Sequence, residues 1–435
     1  MSEPSLRSRP ELPIQRHRLD NGLRVVLHRD PALPLVAVNL WYHTGSKNER
    51  PGKTGFAHLF EHMLFQGSAN VAENEHLRRV QSVGGVANGS TWFDRTNYYE
   101  TLPVHCLELG LWLESDRMGL LLPAMTEQKL ETQRQVVMNE RRQRVDNQPY
   151  GLASERLSEL LYPEGHPYRW PVIGYMDDIA AATLDDVESF FRTYYTPSNA
   201  TLTLAGDLEP DAAIELVERY FGDIDAGGPA PAPLDTTARL DGDRMEQLED
   251  DVGLARIYQA YRIPGFGEPE WYAADLLATL LTTGKASRLH RDLVHEAELA
   301  QSVSCYALPT ESGSSFHVVA TARPGVEPDT LEAAVDRHLA DIAEGGLDEP
   351  DLERARNRTL TSYFAELQTL DRRADLLSMF TTFFDRPEGV ATEVDRYRDL
   401  SCDVLSAFAA AHLRPDDRAR VHVVPRSKPA EGAAV

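Results

Sequence analysis

His58, Glu61 and His62 fall within five residues as H-x-x-E-H (HLFEH), the inverted form of a zinc-peptidase motif. Imidazoles four positions apart stack on one face of a helix, so both can reach a single Zn²⁺ ion. Glu61 lies one turn after His58 and beside His62, where its carboxylate can take a proton from water held at such an ion. The flanking run TGFAHLFEHMLF supports a helix, because Phe56, Leu59, Phe60, Met63 and Leu64 repeat as an apolar stripe at helical spacing. The two histidines and Glu61 then occupy a neighbouring face, free to point into a cleft. Taken alone, these residues fit equally a core helix whose histidines are merely buried and hydrogen-bonded.

Two histidines hold Zn²⁺ poorly without a third protein ligand, and a catalytic site keeps one further position open for water. The segment LETQRQVVMNERRQRVDNQPYG offers Glu140, 78 residues after His62, as the best candidate. On a helix Gln133, Val136, Val137 and Glu140 share a face. Glu131, nine residues before Glu140, points about half a revolution away. By itself Glu140 reads more readily as a solvated surface glutamate.

The elements that must position these residues suggest an α+β chain of two similar parts. LRVVLHRD (23–30), after the turn signal Asp20-Asn21-Gly22, and LVAVNLWYHTG (35–45) read as strands. Helix is expected over the zinc motif and near 73–83, strand around 86–93 and 96–102, helix at 104–120 and 126–146, and strand at 200–207 before a helix ending in VERYFGDI. The stretch 225–237 (DAGGPAPAPLDTT) lacks apolar periodicity and reads as an extended linker. Beyond it a fainter repeat runs through strands near 254–262 and 315–322 and helices near 268–283, 328–343 and 348–365. The predicted domains are therefore 1–224, carrying the motif, and 238–435, without it.

Composition removes several function classes. A formal net charge of −24, from 44 basic against 68 acidic residues, argues against nucleic acid as a partner. Cys106, Cys305 and Cys402 are too scattered for a disulfide framework or a thiolate zinc site. No apolar run suits a membrane span, and the N-terminus shows no secretory h-region. A cytoplasmic location is the default expectation, or a periplasmic one if an export signal has been removed. Gly52-Lys53-Thr54 mimics the end of a phosphate-binding loop, but Lys47 stands where that loop needs glycine.

The segments NGLRVVLHRD, GSKNERPGKTGFAHLFEHMLFQGS, NGSTWFDRTNYYETLP, LWLESDRM, GHPYRWPVIG, YYTPSNATLTLAGD and GKASRL span most of residues 20–290. Together they resemble the pitrilysin/insulinase-type (inverzincin) metallopeptidases, close to the bacterial relatives of the mitochondrial processing peptidase. The resemblance implies two homologous α/β-sandwich domains, each an antiparallel-rich sheet packed with helices, forming half of a clamshell. It implies zinc ligands at His58, His62 and Glu140 and a catalytic base at Glu61. It also implies an edge strand through Asn88, Gly89 and Ser90 against which a substrate peptide lies extended. The activity so implied is zinc-dependent endopeptidase cleavage of unfolded peptides. A dedicated precursor-processing peptidase and a non-catalytic assembly subunit of the same fold are the alternatives.

Two departures from the family pattern matter. Gln133 stands where many active members carry a glutamate behind the distal ligand, which adds no negative charge near the metal. Active members also need an Arg and a Tyr, seven residues apart, from a zinc-free half. In SRLHRDLVHEAELAQSV the matching positions are Val294 and Gln301, and nearby Arg288 and Tyr306 lack the spacing. The resemblance then implies a heterodimer, in which a homologous partner chain supplies Arg and Tyr.

Overall fold

A computed structural model of the protein describes residues 9–232, 234–239 and 241–426. The chain folds into two compact units. The first gathers the chain up to Arg141, Trp170–Leu234 and Ser362–Val394; the second gathers Arg142–Arg169, Asp235–Thr361 and the chain from Asp395 onward. The break between Leu234 and Asp235 falls inside the expected linker, but contiguous domains over 1–224 and 238–435 do not describe the molecule.

The first unit is built on a six-stranded sheet of β1 (Ile14–Arg18), β2 (Arg24–Arg29), β3 (Leu35–Tyr42), β4 (Val86–Thr91), β5 (Thr96–Pro103) and β6 (Ala200–Gly206), in the order β1-β2-β6-β3-β5-β4. Only the β2–β6 pair is parallel. Strand β6 shows how both faces are covered, since successive side chains point to opposite sides. Leu202 and Leu204 enter the main apolar core with Leu40, Phe60, Leu111 and Val137. Thr201 and Thr203 face helix Leu370–Phe384, meeting Thr382 at 3.0 Å and Ser378 at 2.7 Å through their hydroxyls. Ala37, Ala205 and Ala374 let that helix lie close against the sheet.

The second unit carries β7 (Arg244–Asp250), β8 (Arg256–Ile263), β9 (Ala300–Leu308), β10 (Ser314–Ala322) and β11 (Ala419–Pro425) in the order β7-β11-β8-β10-β9. Its first and last strands, β7 and β11, pair in parallel and the rest are antiparallel, as in β2-β6-β3-β5-β4. The two sheets thus share one topology, and the faint sequence repeat has a structural counterpart. The segment after Arg141 belongs here because its polar groups bond to this sheet. The Tyr150 amide donates to Asp250 at 2.8 Å, and Arg156 forks onto Glu246 at 3.0–3.2 Å. In both units the helix following the inner strand is a landmark. In the first it is α1 (Phe56–Met63), which bears the H-x-x-E-H motif; in the second it is Pro269–Thr282, apolar on nearly every side. Among the described residues no helix is long and apolar enough to cross a membrane.

Candidate metal centre and peptide edge

Helix α1 starts abruptly because Glu49 caps it. The Glu49 carboxylate accepts from the amides of Gly55 at 2.9 Å and Ala57 at 2.8 Å, occupying N–H groups that a helix start leaves unbonded. Burial pushes its pKa well up, and those two amide bonds pull the other way. Gly55 has φ +81°, and a Cβ there would sit 2.6 Å from the Ile173 carbonyl oxygen. Gly174 lies back to back with it at φ +79°, where a Cβ would come within 2.4 Å of Gly55. The same Gly174 carbonyl accepts from Arg141 Nη1 at 2.7 Å. Arg141 ends helix α2 (Glu127–Arg141), next to Glu140. One loop therefore pins the start of α1 and the end of α2, and a π-helical turn (Arg142–Asp146) follows at once.

This packing brings the three expected ligands together. Glu140 Oε2 lies 3.8 Å from His58 Nε2 and 3.4 Å from His62 Nε2, with the rings 4.8 Å apart and tilted 76°. A tetrahedral ion with Zn–N and Zn–O near 2.0–2.1 Å sets neighbouring ligand atoms roughly 3.3 Å apart. The observed spacings suit it within a few tenths of an ångström. Two imidazole nitrogens and one carboxylate oxygen are also the donor set such an ion takes when a position is left for water. The three side chains are 14–23% exposed, open enough for a substrate atom to arrive.

Glu61 stands beside this group with one oxygen already committed. Thr91 Oγ1 donates to Glu61 Oε2 at 2.6 Å. Burial raises the Glu61 pKa above the ordinary range, while Thr91, His62 and Arg95 hold it down. Thr91 ends β4, the edge strand of the sheet, which pairs only with β5 through Asn88–Tyr99, Gly89–Tyr98 and Ser90–Asn97. Gly89 lets this strand approach Glu61: a Cβ there would stand 3.2 Å from Glu61 Cγ. The side chains of Asn88 and Ser90 are used internally. Asn88 Oδ1 accepts from the Gly89 amide at 3.0 Å, and Ser90 Oγ meets Asn97 Oδ1 at 2.6 Å. Arg95 clamps the strand's end, donating to the Ser90 carbonyl at 2.7 Å. What β4 offers a ligand is its outer backbone.

Gln133 is buried on α2, at 7% exposure. Val294 is buried in the second unit and its carbonyl accepts from Arg323 at 2.9 Å, while Gln301 is exposed on β9. Arg288 is tied to Asp341 and the Gly346 carbonyl, and Tyr306 stacks on His317 at 4.7 Å. Sequence reasoning missed Glu49, Gly174 and the Thr91–Glu61 bond. Gly174 and Thr91 meet residues distant in sequence, Glu49 reaches six and eight residues on to Gly55 and Ala57, and only the closely spaced glycines around GKTGF hinted at a tight approach.

The insulinase family model of M16 peptidases matches residues 24–167, and a second model, described as the M16 peptidase inactive domain, matches 181–359. The zinc protease PqqE of Helicobacter pylori is 30% identical over 414 residues, covering 94% of this chain and 92% of that protein. The chain belongs to the M16 (insulinase) peptidase family. An uncharacterized zinc protease of Mycobacterium tuberculosis, Rv2782c, is also 30% identical, over 91% of this chain and 90% of its own length. Among solved structures, a protease from Helicobacter pylori superposes with a TM-score of 0.88 at 28% identity, covering 95% of this chain and all (100%) of that one. The periplasmic protease PqqL of Escherichia coli shares the fold with a TM-score of 0.77 at 20% identity, the match taking in 48% of that longer chain. M16 relatives named zinc proteases thus match this chain over more than nine-tenths of its length.

Proposed function

We propose that this M16 chain is the zinc-bearing, catalytic half of a two-chain endopeptidase that cleaves unfolded peptides. The observation that carries the reading is the convergence of His58, His62 and Glu140 at 3.4–3.8 Å with Glu61 alongside. A divalent ion held by these three residues would acidify water and polarise the scissile carbonyl. The chain's own groups do the rest. A peptide adds to β4 as a further strand, bonding to backbone and so engaging with little sequence preference. Thr91 fixes Glu61 Oε2, which leaves the other carboxylate oxygen to accept the proton of the attacking water and pass it to the leaving amine.

The two-chain reading rests on what the second unit lacks. Buried Val294 and exposed Gln301 supply neither guanidinium nor phenol, and Arg288 and Tyr306 are engaged elsewhere. A homologous partner chain provides both groups for substrate binding and oxyanion stabilisation. The fold's occurrence within the longer PqqL chain is consistent with halves that work in pairs.

The test is Glu61→Gln together with reconstitution. The substituted chain should bind zinc as before and lose peptide hydrolysis, and the unsubstituted chain should gain activity only with a homologous partner. Hydrolysis by metal-loaded Glu61→Gln would refute the role of the base. Full activity of the purified chain alone would refute the need for a partner.

A further inference from the structure

A peptide added to β4 turns alternate side chains to opposite faces of the sheet. Gly89 and Thr91 stand on the face of Glu61. Asn88 and Ser90 therefore stand on the other, where Ser90 Oγ meets Asn97 of the neighbouring strand. The Trp92 amide donates to the Arg95 carbonyl at 2.8 Å. By the antiparallel alternation Asn88 and Ser90 then bond inward to β5, and the backbone groups of Ala87, Gly89 and Thr91 point outward. In an antiparallel addition the peptide residue opposite Ser90 falls in a pair without hydrogen bonds, the kind in which side chains lie closest. Val86, 67% exposed, and exposed Asn88 lie uncovered on that same face.

Beside Ser90 this face holds a cavity of about 120 Å³, lined from the sheet and from the start of the helix Leu370–Phe384, all within the first unit. Arg95 and Arg372 line it together with Asp371 and Asp375, so the charges on its walls balance. Most of their hydrogen-bonding groups are used. Asp375 accepts from Trp41 Nε1 at 2.9 Å, Asn97 at 3.2 Å and Arg372 at 2.9 Å, and the other arm of Arg372 donates to Glu366 at 3.1 Å. Two groups are left over. Arg95 spends Nη1 on the Ser90 carbonyl, Ser90 Oγ and Asn97 at 2.6–3.2 Å, and its Nε and Nη2 make no hydrogen bond among the described residues. Asp375 and Glu61 act on Arg95 from beyond ion-pair distance, so what is unused is its donors rather than its charge. The carboxylate of exposed Asp371 makes no hydrogen bond or ion pair among the described residues either. Neither group is sealed from solvent.

We propose that this cavity selects one side chain of the peptide, a carboxamide, with glutamine ahead of asparagine. The inference rests on the proposed addition of substrate to β4. A carboxamide offers Arg95 an acceptor oxygen and Asp371 an N–H donor, and it brings no charge. A carboxylate there meets Asp371 and Asp375, and a cationic side chain meets Arg95 and Arg372. An aliphatic chain displaces water from groups that it cannot bond. Neighbouring strands lie about 4.8 Å apart, so the longer reach of glutamine past the small Ser90 side chain favours it.

The test is a set of fluorogenic peptides varied one position at a time, cleaved by the complex that gives the unsubstituted chain its activity. Glutamine at one position should give a kcat/KM at least about tenfold above leucine, glutamate or lysine there. The positions on either side should show no such preference, because their side chains turn to the metal face. Asp371→Ala should bring the glutamine-to-glutamate ratio to within about threefold, and Asp371→Lys should reverse it. Asp371 is exposed, so neither change threatens the fold. Cleavage with no amide preference at any position, or a glutamine preference that both Asp371 variants leave intact, would overturn the selection and leave strand addition standing. No cleavage of any peptide in the set would remove the proposed function, and this selection with it.

Discussion

Replacing Thr91 by valine isolates the contact that fixes Glu61, the proposed base. Valine keeps the β-branched shape a strand favours and removes only the hydroxyl that donates to Glu61 Oε2 at 2.6 Å. A hydrogen bond to a charged acceptor is worth about 1.5–3 kcal/mol, and each 1.4 kcal/mol in transition-state stabilisation is about tenfold in rate. If Thr91 holds Glu61 in its working orientation, Thr91→Val should lower kcat by roughly 10- to 100-fold with little change in KM. The metal site should be untouched, because Thr91 contacts none of the three ligands in the geometry described. Thr91→Ser, which keeps the hydroxyl, should recover most of the loss. The assay is steady-state cleavage of a fluorogenic peptide by the complex that gives the unsubstituted chain its activity, with zinc content measured on the same samples. Unchanged kcat in Thr91→Val, or a loss that serine does not restore, would refute a positioning role. A loss that tracks zinc content would show instead that the substitution acts through the metal site.

Three further outcomes follow from the same geometry. Glu61→Gln should reduce turnover by about 10²–10⁴-fold, the range of a general base, at unchanged zinc stoichiometry by elemental analysis. Gly174→Ala places a side chain where φ is +79° and a Cβ would lie 2.4 Å from Gly55; it should cost at least about 1–3 kcal/mol in denaturant unfolding and weaken zinc binding, since this loop pins both ligand helices. Glu100, buried beside His76 at 3.6 Å and near the Glu114–Arg117 pair, has its pKa pushed up to about 7, by burial first. The native state then keeps a proton that the unfolded chain releases above its ordinary value of 4.5, so stability falls as pH rises from there to about 7. Glu100→Gln should be more stable than the unsubstituted chain at about pH 8, by up to about 3 kcal/mol, with the gap closing near pH 4.5. His76, whose pKa burial lowers to about 3, destabilises both proteins alike as acid is added, through a window from 6.5 down to 3. A pH-independent difference in unfolding free energy would contradict the burial argument.

The grouping of the candidate metal ligands was legible where its geometry is local. His58 and His62 sit one helical turn apart, and an apolar stripe fixes which way their helix faces. Glu140 needed a second helix, and the sharing of a face with Gln133 and Val137 singled it out from Glu131. The edge strand through Asn88–Ser90 came from resemblance to a family and is an edge strand in the fold. What was not legible is contact between distant segments. Thr91 lies 30 residues from Glu61, and nothing in its own neighbourhood says that a strand end will meet a helix face. The helix Leu370–Phe384 has an ordinary amphipathic pattern, yet it covers Thr201 and Thr203 of the first unit. Apolar periodicity says that a face is buried, not which sheet buries it. The exchange of 142–169 and 362–394 between units escaped the contiguous reading for that reason. β7, with alternating charged residues (RMEQLED), was missed because it lacks the β-branched composition that marks a strand.

Whether one ion joins His58, His62 and Glu140 is decided by anomalous X-ray diffraction at the zinc edge on zinc-loaded crystals. A single strong peak is expected about 2.0–2.2 Å from both Nε2 atoms and a Glu140 carboxylate oxygen, lost in Glu140→Ala crystals. No peak between the paired rings, or an ion bound there without Glu140, would contradict it.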